Sequence, residues 1–214
     1  MDIKIPYTPR KHQAYLHKQI DKHRWNVLVC HRRFGKTVCM INHLIRSALL
    51  SKQKNPRYAY IAPTFKQAKS IAWDYMKQFT AKIPHTKFNE TELRVDLPNG
   101  SRITLLGSES PDGLRGIYLD GCVIAEYANV HSELFPEIIR PALSDRKGYC
   151  VFIGTPMGMN NNFYELYQHA QGADDWFNYK AKASETLIVD NDELVKAKEV
   201  MGEKKYQQEF ECDW

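Results

Sequence analysis

Trp25-Asn-Val-Leu-Val-Cys30, His31-Arg-Arg-Phe-Gly-Lys-Thr37 and the run from Val38 to Leu50 decide the fold. The first six residues are apolar enough for a buried strand. The next seven form a polar loop, and the last run carries apolar positions at helical spacing. Strand, Gly-Lys-Thr loop and helix, in that order, are the parts of a P-loop. In such a loop backbone amides wrap the phosphates, Lys36 reaches the outer ones, and the Thr37 hydroxyl meets the Mg²⁺ that travels with ATP. The helix turns its positive end to the same anion. Gly35 supplies the turn, but Cys30 stands where the full GxxxxGKT pattern has its first glycine. Arg32 and Arg33 lie inside the loop and read as phosphate clamps, against the plainer reading of loop surface charge.

The same rhythm continues outward. Tyr58 to Ala62 reads as a strand, Pro63 to Lys66 as a turn and Gln67 to Phe79 as a helix, which predicts a parallel sheet covered on both faces. Leu93 to Leu97 and Arg102 to Leu106 flank Pro98-Asn-Gly100, a hairpin signal that adds an antiparallel pair at the sheet edge. Ahead of the loop strand, Thr8 and Pro9 suggest the cap and first turn of a short helix. Gln13, with Tyr7, Pro9 and Arg10 before it, suits an adenine edge, unless all of them merely cap the domain.

Two further strands end on chemistry. Leu119 to Ile124 runs into Ala125-Glu126, and Glu126 is placed to polarise an attacking water as general base; the alternative is a solvated glutamate opening a helix. An aspartate that holds the Mg²⁺ water shell is expected at position 125, where a methyl group can neither accept a hydrogen bond nor carry charge. The copy is therefore expected to be impaired, by natural weakness or by engineered removal, and the otherwise complete set of parts favours removal. Tyr149 to Ile153 runs into Gly154-Thr155-Pro156, so Thr155 falls on the ligand-gathering edge of the sheet, although a plain strand-to-loop turn uses the same residues. Arg115, in Asp112-Gly-Leu-Arg-Gly116, can stabilise a transferring phosphoryl in cis or across a subunit boundary, or be a surface arginine.

Phe163 to His169 reads as a helix, Trp176 to Ala183 as a strand, and Asn191 to Met201 and Glu203 to Phe210 as helices. Residues 1–185 are thus expected to form a P-loop ATPase domain and 186–214 a helical lid or linker. The fold class is α/β, a RecA/ASCE-like P-loop NTPase with a mainly parallel sheet.

The 214 residues carry 30 Lys and Arg against 25 Asp and Glu, a net charge of +5 that permits a nucleic-acid partner without requiring one. Five scattered cysteines lack zinc-ligand spacing and read as buried thiols of a reducing compartment. The eight histidines show no ligand pattern, so no metal beyond nucleotide-borne Mg²⁺ is expected. The amino terminus has no apolar core of a signal peptide, and no run is long enough to span a bilayer.

With these pieces in place, the chain resembles the amino-terminal ATPase domain of tailed-phage terminase large subunits. The resemblance rests on His31-Arg-Arg-Phe-Gly-Lys-Thr37, Tyr60-Ile-Ala-Pro-Thr-Phe-Lys-Gln-Ala68, Gly113-Leu-Arg-Gly116, Val123-Ile-Ala-Glu126 and Val151-Phe-Ile-Gly-Thr-Pro156. It implies that Gln13 contacts adenine, that Arg32 and Lys36 contact phosphates, and that Glu126 is the catalytic glutamate. It also implies that Thr155 sits in the coupling motif and that Arg115 acts in trans. The implied partners are double-stranded DNA, the portal protein of the procapsid, the small terminase subunit and further copies of the chain in a ring. The implied place of work is the host cytoplasm, docked on the procapsid, and a carboxy-terminal nuclease domain would follow the stretch in hand. Ala125 departs from the family. A helicase-type ATPase and a non-hydrolysing, nucleotide-gated assembly module are the rival readings.

Overall fold

A computed structural model describes residues 4–214. In chain order the strands are β1 (Trp25–Cys30), β2 (Arg57–Ala62), β3 (Lys87–Asn89), β4 (Arg94–Asp96), β5 (Arg102–Gly107), β6 (Gly121–Ala125), β7 (Tyr149–Gly154) and β8 (Trp176–Ala181). The helices are α1 (Lys11–Ile20), α2 (Lys36–Leu50), α3 (Phe65–Gln67), α4 (Asp74–Thr80), α5 (Arg140–Ala142), α6 (Asn162–Ala170), α7 (Ala183–Thr186), α8 (Asn191–Met201) and α9 (Glu203–Phe210). The strands make one sheet in the order β3-β4-β5-β2-β6-β7-β1-β8. From β5 to β8 every pairing is parallel, and β3-β4-β5 is the antiparallel margin that the Pro98-Asn-Gly100 turn predicted.

All six residues of β1 are buried, and their alternation explains the two cores. Leu28 and Cys30 join Leu16, Ile20, Met40, Leu44 and Trp73 on the face covered by α1, α2 and α4. Trp25, Val27 and Val29 join Phe135, Ile139, Phe152 and Phe163 on the other. Phe152 is fully buried there, with the rings of Phe135 and Tyr127 edge-on at 4.7 and 4.9 Å. A smaller third core is made by Ala183, Leu194, Tyr206 and Phe210, from α7 to α9. Beyond α9 the chain folds back, and Trp214 packs its ring 5.4 Å from Phe163 and 5.1 Å from Tyr164.

Several boundaries differ from expectation for identifiable reasons. The first helix begins at Lys11 with Arg10 as its cap, not at Thr8 and Pro9, because the Gln13 side chain accepts the Arg10 N–H at 3.0 Å. The loop helix begins at Lys36 rather than Val38, since Gly35 adopts the left-handed φ of 87° that allows the turn to close two residues earlier. The expected helix over Gln67 to Phe79 is α3 and α4 joined by a π-helical stretch, Ala68–Trp73. Between Glu126 and Gly148, where no element was expected, stand a 3-10 turn at Tyr127–Asn129, a π-helical stretch at Leu134–Ile139 and α5. Pro136 and Pro141 break the helical pattern there, so periodicity is silent.

Candidate nucleotide site

β1, β7 and β6 lie side by side in the sheet, and their carboxyl ends deliver the P-loop, Thr155 and Glu126 to one edge. Between them opens a cleft of about 430 Å³ lined by Arg32, Lys36, Glu126, Asn129, Thr155, Lys205, Gln208 and Glu209, among others. Three of those residues come from α9.

The loop is shaped by two left-handed residues, Arg33 at φ 72° and Gly35 at φ 87°. Such alternation turns successive amides into one concavity, an anion nest at the amino end of α2. A Cβ at position 35 would stand 3.0 Å from the Gln13 amide nitrogen, which adds a steric reason for glycine to the conformational one.

Lys36 is drawn inward. Its ammonium donates to the Thr155 hydroxyl at 2.8 Å and to the Cys30 carbonyl at 3.3 Å, with the Glu126 carboxylate 3.9 Å away. Glu126 itself is left-handed, at φ 49° and ψ 48°, a conformation a non-glycine residue holds at a cost of roughly 1–3 kcal/mol. It swings the carboxylate out of the strand direction and toward Lys36. The Thr155 hydroxyl accepts from Lys36 and donates to the Cys30 carbonyl at 3.3 Å, tying the ends of β7 and β1.

Ala125 closes β6 and is buried on the α2 side, in the same core as Val123 and Cys30. Tyr60, on the neighbouring strand β2, is buried in the same core. Burial raises the Tyr60 phenol well above its ordinary pKa, so it stays neutral. Thr37 and Glu126 are hard oxygen donors beside a phosphate nest, and this set fits a nucleotide-borne Mg²⁺. Position 125 adds no donor to it.

α9 borders this cleft. The Arg32 amide donates to the Glu209 carbonyl at 2.8 Å, its guanidinium lies 3.7 Å from the Glu209 carboxylate, and Lys205 pairs with the same carboxylate at 2.9 Å. Gln208 donates to the Pro156 carbonyl at 2.7 Å, immediately after Thr155. Beneath them the buried His31 ring is 2.6 Å from the Arg32 carbonyl through Nδ1 and 2.8 Å from the Thr186 hydroxyl through Nε2. A carbonyl only accepts, so Nδ1 carries the proton and Nε2 accepts from Thr186. Burial lowers the His31 pKa and keeps this neutral form. His31, Asn129, Lys205, Gln208 and Glu209 were not singled out from sequence. The i,i+4 spacing of Lys205 and Glu209 marks a helix pair but not what lies opposite it.

Of the expected residues, Arg32, Lys36, Glu126 and Thr155 line the cleft, whereas Gln13, Arg33, Gly35, Thr37 and Arg115 lie outside its lining. Gln13 is buried under the loop, its carbonyl oxygen taken by the Arg10 amide and its nitrogen 3.4 Å from the Gly35 carbonyl it donates to. Arg115 is exposed beyond the cleft's lining, held by Asp112 at 2.7 Å with Glu137 at 3.6 Å. Those carboxylates raise its already high pKa. Arg33 is exposed on the loop.

Comparison with known proteins agrees with this geometry. The family described as terminase large subunit, T4likevirus-type, N-terminal matches residues 29–211. The terminase large subunits of Thermus phage G20c and Thermus virus P23-45 are each 27% identical over 182 residues, covering 76% of this chain and 36% of theirs. The chain thus spans about a third of the length of those curated relatives. Among solved structures, the Thermus phage P74-26 large terminase ATPase domain shares the fold with a TM-score of 0.81 at 20% identity, over 98% of this chain and 95% of that one. The large terminase of a thermophilic bacteriophage, solved in complex with ADP, does so with a TM-score of 0.82 at 15% identity, over 95% and 53%. With the family match running over most of its length, the chain belongs to the terminase large subunits of the T4-like type, as their amino-terminal domain.

Proposed function

We propose that the chain binds ATP with Mg²⁺ in the cleft between the P-loop and α9 and hydrolyses it to drive double-stranded DNA into a procapsid. The observation that carries this reading is Lys36, held within reach of both the Thr155 hydroxyl and the Glu126 carboxylate at the mouth of the loop. The ADP bound by the thermophilic-phage relative supports a nucleotide as the ligand.

Each residue then has a task. The loop amides with Lys36, Arg32 and Arg33 hold the phosphates, and Gln13 meets the adenine after giving up its bond to the loop. Glu126 orients a water in line with the outer phosphate and takes its proton. A bound Mg²⁺, held through Thr37, would neutralise charge on the phosphates. Thr155 senses the outer phosphate through Lys36, and Gln208 carries that change into the lid, residues 186–214. Arg115 serves the cleft of a neighbouring copy in a ring, which fits its exposure away from its own cleft. The portal protein and the small terminase subunit complete the machine, at the procapsid in the host cytoplasm.

Lys36→Ala tests the core of the reading. Titration with ATP should show most of the affinity lost, and unchanged affinity would remove the assignment. A second reading, a non-hydrolysing assembly module gated by nucleotide, is favoured by one observation, the methyl group at position 125. Phosphate release with and without duplex DNA separates the two.

A further inference from the structure

Strands β1, β2, β5, β6 and β7 all begin at the edge opposite the nucleotide cleft, so the loops that feed them gather there. Three of those loops, the ones that enter β1, β2 and β7, are basic. Asp21-Lys22-His23-Arg24 enters β1, Ser51-Lys52-Gln53-Lys54-Asn55-Pro56-Arg57 enters β2, and Ser144-Asp145-Arg146-Lys147-Gly148 enters β7.

Contacts join them into one ridge. Arg24 donates to the Gly148 carbonyl at 3.0 Å, Arg146 to the Lys54 carbonyl at 3.1 Å, and Arg57 to the Gly100 carbonyl at 3.2 Å. The Arg146 and Arg57 guanidinium groups flank the Tyr118 ring at 4.7 and 5.8 Å from its centroid. Lys22, Lys52, Lys54 and Lys147 are exposed. The neighbouring acids are already engaged, Asp21 with Arg46 at 2.8 Å and Asp120 with Arg146 at 3.7 Å. Lys22, Arg24, Lys52, Lys54, Arg57 and Lys147 therefore face only Asp145 as an uncommitted carboxylate among the described residues of these loops. On the lid, by contrast, Lys196, Lys198 and Lys205 each have a carboxylate partner.

A cation just past a helix complements its dipole, which accounts for Lys22 after α1 and Lys52 after α2. Lys54, Arg57 and Lys147 stand beyond any last turn. From β2 to β1 the ridge crosses three strand spacings of about 4.8 Å, roughly 14 Å. That length matches about four steps of duplex at 3.4 Å each.

We propose that this amino edge tracks the phosphate backbone of duplex DNA, with Lys22, Lys52, Lys54 and Lys147 as its outermost contacts. The inference rests on the reading of the chain as a motor on double-stranded DNA and places the DNA on the side of the sheet away from the nucleotide. Lysines on exposed loops neutralise phosphates without reading bases, as a surface that must accept any sequence requires.

The test is anisotropy of a fluorescein-labelled duplex of about 30 base pairs, titrated with the chain between about 50 and 200 mM salt. A variant with Lys22, Lys52, Lys54 and Lys147 all changed to Gln is compared with one in which the exposed Lys66, Lys69, Lys82 and Lys87 are changed to Gln, the same loss of charge elsewhere. The edge variant should bind at least ~10-fold more weakly than the control variant, and its log–log salt slope should fall by about 3–4, near 0.9 per lost phosphate contact. Should it unfold, single Lys54→Gln and Lys147→Gln variants should each lower the slope by about 1. An unchanged slope in the edge variants, or an equal loss in the control, overturns the ridge alone. No binding by the unaltered chain overturns the reading of duplex DNA as the cargo, and the ridge with it.

Discussion

The Thr155 hydroxyl lies 2.8 Å from the Lys36 ammonium, although 119 positions separate them in the chain. The adjacency of β1 and β7 makes the contact unavoidable, and it gives one side chain a share in both phosphate binding and the end of the neighbouring strand. Replacing Thr155 with Val keeps the shape and removes the acceptor. A hydrogen bond to a charged group contributes about 1.5–3 kcal/mol. Turnover should fall ~10- to 100-fold while nucleotide affinity changes much less, because the loop amides are untouched. Phosphate release beside equilibrium titration measures both, and a parallel loss in the two would make Thr155 a binding residue only.

Ala125→Asp should raise turnover more than affinity. Position 125 ends β6 on the α2 side of the sheet, so an aspartate there would add an acceptor beside the P-loop. A gain of about 3–4 kcal/mol in the barrier corresponds to ~10²–10³ in rate. Steady-state phosphate release over a Mg²⁺ titration decides it, in assemblies that include Arg115. Equal turnover at saturating ATP and Mg²⁺ would show that the Walker B reading of β6 is wrong.

Arg115 should work across a subunit boundary. Chains carrying Arg115→Ala and chains carrying Glu126→Ala are each expected to be inactive, yet mixtures should recover hydrolysis wherever an intact cleft meets an intact arginine. Such arginines contribute roughly 10³–10⁵ in turnover. Mixed assemblies no more active than either parent would count against the trans role.

Acid should destabilise the domain through two stacked imidazoles. The rings of His17 and His43 are parallel at 5.2 Å, with their Nδ1 atoms 3.0 Å apart. Tyr7, Cys39 and Tyr149 face them, and Asp21 and Arg46 lie nearby. Burial lowers their pKa values from 6.5 to about 4 and about 3, so protons bind more readily to the unfolded chain. Their stabilising contribution is full above pH 6.5 and is lost as the pH falls from there toward 4 and then 3. The slope reaches up to about 1.4 kcal/mol per pH unit for each ring. Denaturant titrations at several pH values should show His43→Gln flattening that slope, and an unchanged slope would exclude the pair as its source.

Phe152→Ala should cost about 3–5 kcal/mol, the usual loss for emptying an aromatic core site. Urea unfolding measures it. A loss below about 1 kcal/mol would mean that the Phe135 and Tyr127 rings close over the gap.

What the chain reveals about itself before folding is uneven, for physical reasons. Gly35, Lys36 and Thr37 were legible because a P-loop is contiguous, and Glu126 and Thr155 because each ends an apolar strand of a parallel sheet. The apolar run of β1 and the strand–helix–strand order foretold burial on both faces. The lid's part in the cleft was not legible: the spacing of Tyr206 and Phe210 marks a buried helix face, but nothing local tells that Gln208 and Glu209 will meet Pro156 and Arg32. Gln13 was read for an adenine edge, and its two hydrogen bonds to backbone, which hold it under the loop, depend on a helix start that Thr8 and Pro9 obscured. Of Arg115's carboxylate moorings, Asp112 stands in its own Asp112-Gly-Leu-Arg-Gly116 stretch, whereas Glu137 comes from the segment that Pro136 and Pro141 made unreadable by periodicity.

The bond between His31 and Thr186 turns one imidazole into a gauge of lid position. With the lid seated, the Thr186 hydroxyl caps Nε2 and the Arg32 carbonyl holds the proton on Nδ1. Were α7 to lift away, Nε2 would lose its donor and the ring would be free to exchange tautomers. Nitrogen resonances of a single labelled histidine would then separate into a locked and an averaged form. The movement of the lid would become visible in solution, residue by residue, with no probe attached to the protein and none to the nucleotide.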